Sequence, residues 1–220
     1  MKLIHAVYEP AGPGPHPTII AFHGWGANAL DLLGLAPHLC GGRFLTICPQ
    51  GPLEVPLGPM NGYGWFPLNP GSPPDSSAIK AGADAAASFI EEAFARYPVE
   101  PQKIGVIGFS QGGVMAYSVA LMTSRKFAAI AGLSTWFPDT LSSPGAHDGA
   151  LAHMPVLVQH GAADNLIEIG RARESAARIR QLGADVRYRE YDCGHEITAP
   201  GLSDLSIFLD ETVLRRESRP

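Results

Sequence analysis

The stretch of residues 103–113, KIGVIGFSQGG, decides the fold of this chain. Residues 103–109 form a short apolar, β-branched run typical of a buried strand, and an alanine-rich helical pattern follows over residues 112–123. Where the two meet, residues 108–112 fit G-x-S-x-G, the pattern of a nucleophile elbow when it joins a strand to a helix. The flanking glycines leave room for a tight turn, so we expect the Ser110 hydroxyl to project from it. The alternative is a glycine-rich turn with a capping serine.

Elements of the same two kinds alternate along the rest of the chain. We predict strands over residues 18–23, 43–48, 127–133, 156–160 and 186–191, and helices over residues 29–39, 77–97, 168–182 and 202–209. This alternation predicts one α/β domain over residues 1–220, with a mostly parallel central sheet flanked by helices and no cap domain. Right-handed crossovers bring the strand-to-helix loops to one edge of the sheet, where ligands bind. Residues 49–78, with eight prolines and five glycines, form a loop that we expect near the active site.

The composition excludes several classes of protein. Of the 220 residues, 45% are hydrophobic, so a sizeable core can form and intrinsic disorder is excluded. A formal net charge of −5 and a pI near 5.9 argue against a nucleic-acid-binding protein. No apolar run has the length of a membrane span, and the three cysteines form no disulfide framework. We expect no signal peptide, and therefore a cytoplasmic protein.

A nucleophile elbow works with two backbone N–H donors that bind the oxyanion formed during acyl transfer. The first is the N–H of the residue after the nucleophile, here Gln111. The second comes from the loop after an earlier strand, and residues 23–26, HGWG, follow the apolar run TIIAF in that position. Their glycines allow the backbone close to a bound carbonyl, so we predict the N–H of Trp25 as the second donor. The alternative is a glycine turn beside a core tryptophan.

His195 is the predicted general base. Enzymes built on such an elbow carry the serine, the acid and the histidine in that order, and four histidines follow Ser110. His147 and His153 fall in a connection rich in Pro, Gly and Ser, and His160 ends a strand directly before a glycine, which indicates a core or turn histidine. His195 stands on a short loop after the last predicted strand, where a base can face the elbow.

Two carboxylates are candidates for the acid that orients His195. Asp164 follows the strand over residues 156–160, at the same edge of the sheet as the elbow. Asp192 lies only three residues before His195, and its position on the strand directs it less well at the imidazole. The sequence therefore favours Asp164, which would hold the imidazole in the tautomer that accepts the serine proton.

Seven short motifs are spread over the chain: HGWG (23–26), PQGP (49–52), WF (65–66), GFSQGG (108–113), LSTWFP (133–138), HGAAD (160–164) and CGHE (193–196). With them the chain resembles, over essentially its whole length, the small carboxylesterase, lysophospholipase and acyl-protein thioesterase family of α/β-hydrolases. GFSQGG together with LSTWFP is the most specific combination. The resemblance implies Ser110 as nucleophile, His195 as base and Asp164 as acid, with backbone donors from Trp25 and Gln111.

The resemblance also implies that Trp65, Phe66 and Trp136 line the acyl pocket. We therefore expect a serine carboxylesterase that hydrolyses short-to-medium-chain esters without a cofactor. Its expected partner is a small-molecule ester, with no nucleic acid and no membrane span; a homodimer stays open. The CGHE motif has no second Cys/His pair at ligand spacing, so we expect no metal site. The alternatives are an acyl thioesterase or lysophospholipase of the same fold and, from another class, a catalytically silent binding module.

Overall fold

The computed structural model describes residues 2–69, 71–123, 127–138, 141 and 151–215. Within these ranges the strands are β1 (His5–Tyr8), β2 (His16–Phe22), β3 (Leu45–Pro49), β4 (Leu53–Leu57), β5 (Met60–Gly64), β6 (Val99–Phe109), β7 (Ala129–Leu133), β8 (Pro155–Gly161) and β9 (Asp185–Tyr191). The helices are α1 (Ser76–Arg96), α2 (Gln111–Met122), α3 (Ile169–Gln181) and α4 (Ala199–Leu209), with a 3₁₀ segment over Leu32–Gly41 and a π-helical turn over Asp210–Leu214.

Seven of these strands form one sheet in the order β1-β3-β2-β6-β7-β8-β9, and all neighbours are parallel except β1 and β3. The predicted α/β class and mostly parallel sheet are thus confirmed. The sequence analysis missed the edge strand β1, because its four half-buried residues give no strong apolar run. The chain passes from β2 to β3 on one side and later to β6 on the other. Ligands bind at such a switch point, beside the carboxyl ends of the two strands.

Helices cover both faces of the central sheet. On β2, Ile20 and Phe22 belong to one core cluster, which also holds buried residues of α1, α2 and α3. Ile19 and Ala21 belong to the other cluster, together with buried residues of the 3₁₀ segment and α4. Because both faces of β2 are buried, its sequence is a continuous apolar run rather than an alternating one. No helix in the described ranges is long and apolar enough to cross a bilayer.

Two predicted segments differ in kind from the structure, whereas others differ only in where they begin or end. The loop predicted over residues 49–78 is not continuous: β4 and β5 pair as an antiparallel hairpin within it, and α1 begins at Ser76. The helix predicted over residues 29–39 is the shorter 3₁₀ segment, in which Leu39 and Cys40 leave helical geometry. Pro37 has no N–H to donate inside this segment, so a regular α-helix is disfavoured there.

Candidate active site

Ser110 lies at the turn between β6 and α2 in a strained backbone conformation. Its φ of 52° and ψ of −122° lie in a region that side chains rarely adopt, at a cost of about 1–3 kcal/mol. Hydrogen bonds from the end of β7 hold this conformation: the Ser110 N–H donates to the Leu133 carbonyl at 2.9 Å, and the Thr135 hydroxyl donates to the Ser110 carbonyl at 2.7 Å. The LSTWFP motif therefore supports the elbow, a role that the sequence analysis did not assign to Thr135.

The glycines of the elbow allow β2, β6 and α2 to meet without side chains between them. A Cβ on Gly108 would collide with the Gly112 carbonyl oxygen, and a Cβ on Gly112 would collide with the carbonyl oxygen of Phe22. The start of α2 is thus pressed against the end of β2. This contact brings the loop after β2 beside Ser110, as the nucleophile elbow requires.

The HGWG motif forms a turn at the end of β2. The Ala27 N–H donates to the Gly24 carbonyl at 3.3 Å, and Gly26 has a φ of 81°, which the third position of a type II turn requires. Gly24 lies against the elbow, because a Cβ on it would stand 3.3 Å from the Ser110 Cβ. Within the described residues, the N–H groups of Trp25 and Gln111 donate to no protein acceptor. Both are therefore available to a ligand.

A pair of aromatic residues connects the two donor loops. The Gln111 side chain accepts from the Trp65 N–H and donates to the Phe66 carbonyl, both at 2.7 Å. The Trp65 indole N–H donates to the His23 carbonyl at 3.0 Å. Trp65 and Phe66 are only 2% and 1% exposed, in the core beneath the elbow. They act here as supports, and the predicted lining of an acyl pocket by these two residues stays a prediction.

The hairpin of β4 and β5 also contacts the HGWG turn. The Gly26 N–H donates to the Tyr63 carbonyl, and the Tyr63 N–H donates to the Ala27 carbonyl, both at 2.8 Å. These two bonds form an isolated antiparallel bridge between the turn and β5. The segment over residues 49–78 thus lies beside one of the candidate donor loops.

Asp164 and His195 are brought together from the ends of two neighbouring strands, β8 and β9. The His195 Nδ1 and the Asp164 Oδ2 are 2.7 Å apart. The Asp164 Oδ1 accepts the N–H groups of Leu166 and Ile167, each at 2.9 Å. The Asp164 side chain is fully buried, whereas that of His195 is 14% exposed. The carboxylate is thus fixed by three hydrogen bonds and the imidazole keeps access to the site.

The electrostatics of this pair favour the ionised form of the Asp164 carboxyl. Burial raises the pKa of Asp164, but the hydrogen bonds from Ile167, His195 and Leu166 lower it, so the net pKa lies below its ordinary value. A carboxylate accepts at Oδ2, so the proton between the two groups lies on Nδ1 of His195. In the neutral imidazole with its proton on Nδ1, the Nε2 of His195 carries a lone pair that can accept a proton.

His195 contacts the residue that precedes the serine of the elbow. The ring of Phe109, which directly precedes Ser110, packs against the His195 ring with centroids 4.9 Å apart. No hydrogen bond joins the Ser110 Oγ to His195 among the described residues. Hydrogen bonds between nucleophile and base are often long in the absence of substrate and shorten in the reacting complex.

The competing candidates occupy other positions. Asp192 is exposed and forms no hydrogen bond with His195 in the described part of the chain. His160 is buried and its Nε2 donates to the Ile167 carbonyl at 2.7 Å, so it supports the turn that carries Asp164. His153 lies in the turn before β8, and His147 lies outside the described residues.

Trp136 contacts α3, and a separate cavity lies between α1 and α2. Trp136 is half-buried, and the Arg171 guanidinium lies 5.6 Å from its ring centroid. A cavity of about 450 Å³ lies between α1 and α2, and the described residues that line it are Ser76, Ser77, Ile79, Lys80, Ser118, Met122 and Leu141. Ser118 is eight residues along α2 from Ser110, which at about 1.5 Å per residue is roughly 12 Å. The predicted pocket role of Trp136 stays a prediction.

A strained serine elbow, two N–H groups with no protein acceptor in the described residues, and a buried Asp–His pair form the arrangement expected of an α/β-class serine hydrolase. The comparisons with known proteins agree. A family model described as phospholipase/carboxylesterase matches residues 4–213. An acyl-protein thioesterase 1 of Gibberella zeae is 29% identical over 199 residues, which cover 85% of this chain and 83% of that protein.

Solved structures of esterases share the fold. Esterase PE8 matches with a TM-score of 0.81 at 27% identity, covering 96% of this chain and 100% of that one. The carboxylesterase of Bacillus cereus matches with a TM-score of 0.81 at 19% identity, covering 96% and 95% of the two chains, which shows the shared fold. The chain belongs to the phospholipase/carboxylesterase family, and its activity class is that of an esterase or thioesterase.

Proposed function

We propose that this chain hydrolyses short-to-medium-chain carboxylic esters through an acyl-enzyme on Ser110, with His195 as base and Asp164 as acid. The observation that carries the proposal is the 2.7 Å hydrogen bond between His195 and the buried Asp164, at the same sheet edge as the strained serine. The preference for shorter acyl chains rests on the compact domain, since the described ranges contain no inserted cap over the site.

In the proposed mechanism, the Ser110 Oγ attacks the ester carbonyl carbon while His195 Nε2 takes its proton. The resulting oxyanion accepts the N–H groups of Trp25 and Gln111. The tetrahedral intermediate then collapses, the bond to the alkoxy oxygen breaks, and His195 protonates the leaving alcohol. His195 next takes a proton from water, whose oxygen attacks the acyl-enzyme; the acid is released and Ser110 regains its proton.

A thioesterase is the second candidate function. It is favoured by the relative that is named an acyl-protein thioesterase and is 29% identical over most of both chains. The same catalytic groups serve both reactions, because a thiolate is a better leaving group than an alkoxide and makes less demand on protonation by His195. The two candidates differ in leaving group and not in the acyl-enzyme.

A fluorophosphonate probe and a substrate panel test the proposal. We expect the probe to label Ser110 in the wild type and not in Ser110→Ala. We expect p-nitrophenyl esters of two to eight carbons to be hydrolysed with higher kcat/KM than an acyl thioester of matched chain length or a lysophospholipid. The reverse ranking would establish the thioesterase or lysophospholipase instead, and the absence of labelling would favour the silent binding module.

Ser118→Ala is the matched control for the nucleophile variant. Ser118 lies on the same helix, and its hydroxyl donates to the Val114 carbonyl at 2.8 Å. We expect this variant to keep both labelling and ester hydrolysis. Loss of labelling in both variants would indicate that the probe reports the integrity of α2 and not the nucleophile.

A further inference from the structure

His23 is a buried imidazole that the proposed mechanism does not use, and both of its nitrogens are hydrogen-bonded. The Nδ1 lies 2.7 Å from the Gly24 carbonyl oxygen, and the Nε2 lies 2.9 Å from the Gly51 nitrogen. A carbonyl oxygen only accepts and a backbone N–H only donates, so the proton must be on Nδ1 and the lone pair on Nε2. The side chain, 2% exposed, is therefore fixed as one neutral tautomer.

The bond to Gly24 also sets the direction of the Trp25 N–H. Gly24 carbonyl and Trp25 N–H belong to the same peptide unit, which is trans, so the two groups point in opposite directions. With the carbonyl held on the His23 ring, the N–H points away from that ring. The Ala27 N–H binds the same carbonyl at the longer distance of 3.3 Å.

The Gly51 N–H favours the Nδ1–H tautomer of His23, because it donates to the Nε2. Gly51 belongs to the PQGP motif after β3, which has no part in the proposed reaction. Its backbone lies against β5, because a Cβ on Gly51 would collide with the Gly64 carbonyl oxygen. The donor that faces His23 Nε2 is thus fixed in place. The ring of Trp65 lies beside the imidazole, with centroids 5.5 Å apart, and confines it further.

We propose that His23 is a positioning residue for the oxyanion hole: its Nδ1–H tautomer, selected by the Gly51 N–H, holds the Gly24 carbonyl so that the Trp25 N–H faces the substrate carbonyl oxygen. The proposal deepens the proposed function and rests on it. It assigns a role to the PQGP motif as the element that selects the tautomer.

Two conservative variants separate the two hydrogen bonds. The side-chain amide of Asn in His23→Asn stands near the Nδ1 position and can still donate to the Gly24 carbonyl. The longer side chain of Gln in His23→Gln reaches the Nε2 position, where its oxygen accepts from Gly51 but nothing donates to Gly24. Each variant loses one bond, so we expect similar losses in melting temperature. We expect kcat to fall about tenfold to a hundredfold in His23→Gln and less than threefold in His23→Asn, with KM little changed.

A transition-state analogue gives the readout that a structural role would not change. A trifluoromethyl ketone forms a hemiketal on Ser110 whose oxyanion occupies the same hole. We expect its inhibition constant to rise in His23→Gln by the same factor as kcat falls, and to stay near the wild-type value in His23→Asn. His5→Gln is the control, since His5 also bonds through both nitrogens, to Leu3 and Tyr97, on the edge strand β1. We expect no change in kcat there.

Equal losses of kcat in the two His23 variants, or no loss in either, would overturn the inference. If either variant fails to fold, nitrogen NMR of the wild-type imidazole decides: the Nδ1–H tautomer supports the inference and the Nε2–H tautomer overturns it. Failure of the proposed function has a different signature, in which Ser110→Ala keeps esterase activity. An active wild type with an inactive Ser110→Ala and two equal His23 variants would refute only the role of His23.

Discussion

The Asp164 carboxylate accepts three hydrogen bonds, two from backbone N–H groups at Oδ1 and one from His195 at Oδ2. The backbone donors hold Oδ1, so only Oδ2 is left to orient the imidazole. An amide group at residue 164 would keep its oxygen on the backbone N–H groups and turn its NH₂ toward His195. The imidazole would then have to accept at Nδ1, and its proton would move to Nε2, the nitrogen that should receive the serine proton.

We therefore predict that Asp164→Asn lowers kcat by about 10⁴, the known cost of the wrong tautomer in serine proteases, while the protein stays folded. Steady-state hydrolysis of a p-nitrophenyl ester measures the loss, and circular dichroism checks the fold. Asp192→Asn is the matched control, because the exposed Asp192 has no hydrogen bond to His195 among the described residues. We expect it to change kcat less than tenfold. The opposite ranking would make Asp192 the acid.

Thr135 supports the elbow through a hydrogen bond that the sequence did not predict. Its hydroxyl donates to the carbonyl of the strained Ser110. We predict that Thr135→Val lowers the free energy of unfolding by about 1 kcal/mol and kcat by about tenfold, because the proposed nucleophile, Ser110, is no longer held in place. Thr123→Val removes a similar bond, to Val119 at the end of α2, and should affect stability alone. Urea unfolding and ester kinetics on both variants give the comparison. Equal kcat values for Thr135→Val and Thr123→Val would show that Thr135 does not position Ser110.

Among the elements, those buried on both sides were predicted best. The strands β2, β7 and β8 and the second half of β6, residues 104–109, contain continuous apolar runs, because helices cover both faces of the sheet. The hairpin of β4 and β5 was missed, since its strands are short, mostly exposed and interrupted by Pro56 and Gly62. It is stabilised by contacts with a distant segment, the HGWG turn at Ala27, and no local pattern records such a contact.

Trp65 and Phe66, directly after this hairpin, connect the loop that carries Trp25 with the elbow that carries Gln111. Substitution of Trp65 tests this role. We predict that Trp65→Phe lowers the free energy of unfolding by about 1–3 kcal/mol, because the buried His23 carbonyl loses the indole N–H. Trp136→Phe should cost less than about 1 kcal/mol, because the half-buried Trp136 donates no hydrogen bond in the described residues and a phenyl ring retains part of the contact with Arg171. Denaturant unfolding of the two variants measures both values.

The same two variants test the pocket that the family resemblance implies. If Trp65 lines an acyl site, Trp65→Phe should alter the dependence of kcat/KM on acyl-chain length. If it supports the donor loops, stability and kcat should fall together for all chain lengths. A change in chain-length preference in Trp136→Phe alone would assign the pocket wall to Trp136.

For the whole molecule, the sequence predicted the fold class, and it proposed the Asp–His pair that the structure brings to 2.7 Å. Reactive groups are predictable because chemistry restricts them to a few residue types at strand ends. The supporting groups are not, because they act through backbone atoms: the carbonyl of Ser110 held by Thr135, and the carbonyl of Gly24 held by His23. Every residue type has a backbone carbonyl, so the sequence motifs do not show which carbonyl accepts a hydrogen bond from Thr135 or His23.

The buried side chains of His23 and Asp164 also make the free energy of unfolding of the whole protein depend on pH. Burial lowers the pKa of His23 below its ordinary 6.5, partly offset by the Gly24 hydrogen bond and by Asp31. The unfolded chain therefore binds a proton at His23 that the folded protein resists, so the free energy of unfolding falls as the pH decreases below 6.5. The pKa of Asp164 is lowered as well, so its contribution is present above the ordinary 3.8 and is lost as the pH falls below that value.

We predict that urea unfolding between pH 7.5 and pH 5 shows wild-type stability falling toward acid, with His23 contributing at most about 1.4 kcal/mol per pH unit. His23→Asn should be less stable than the wild type at pH 7.5, and the gap should narrow toward pH 5, because Asn has no proton to gain in either state. Parallel curves for the wild type and His23→Asn would mean that protonation of the buried imidazole does not limit the stability of the fold in acid.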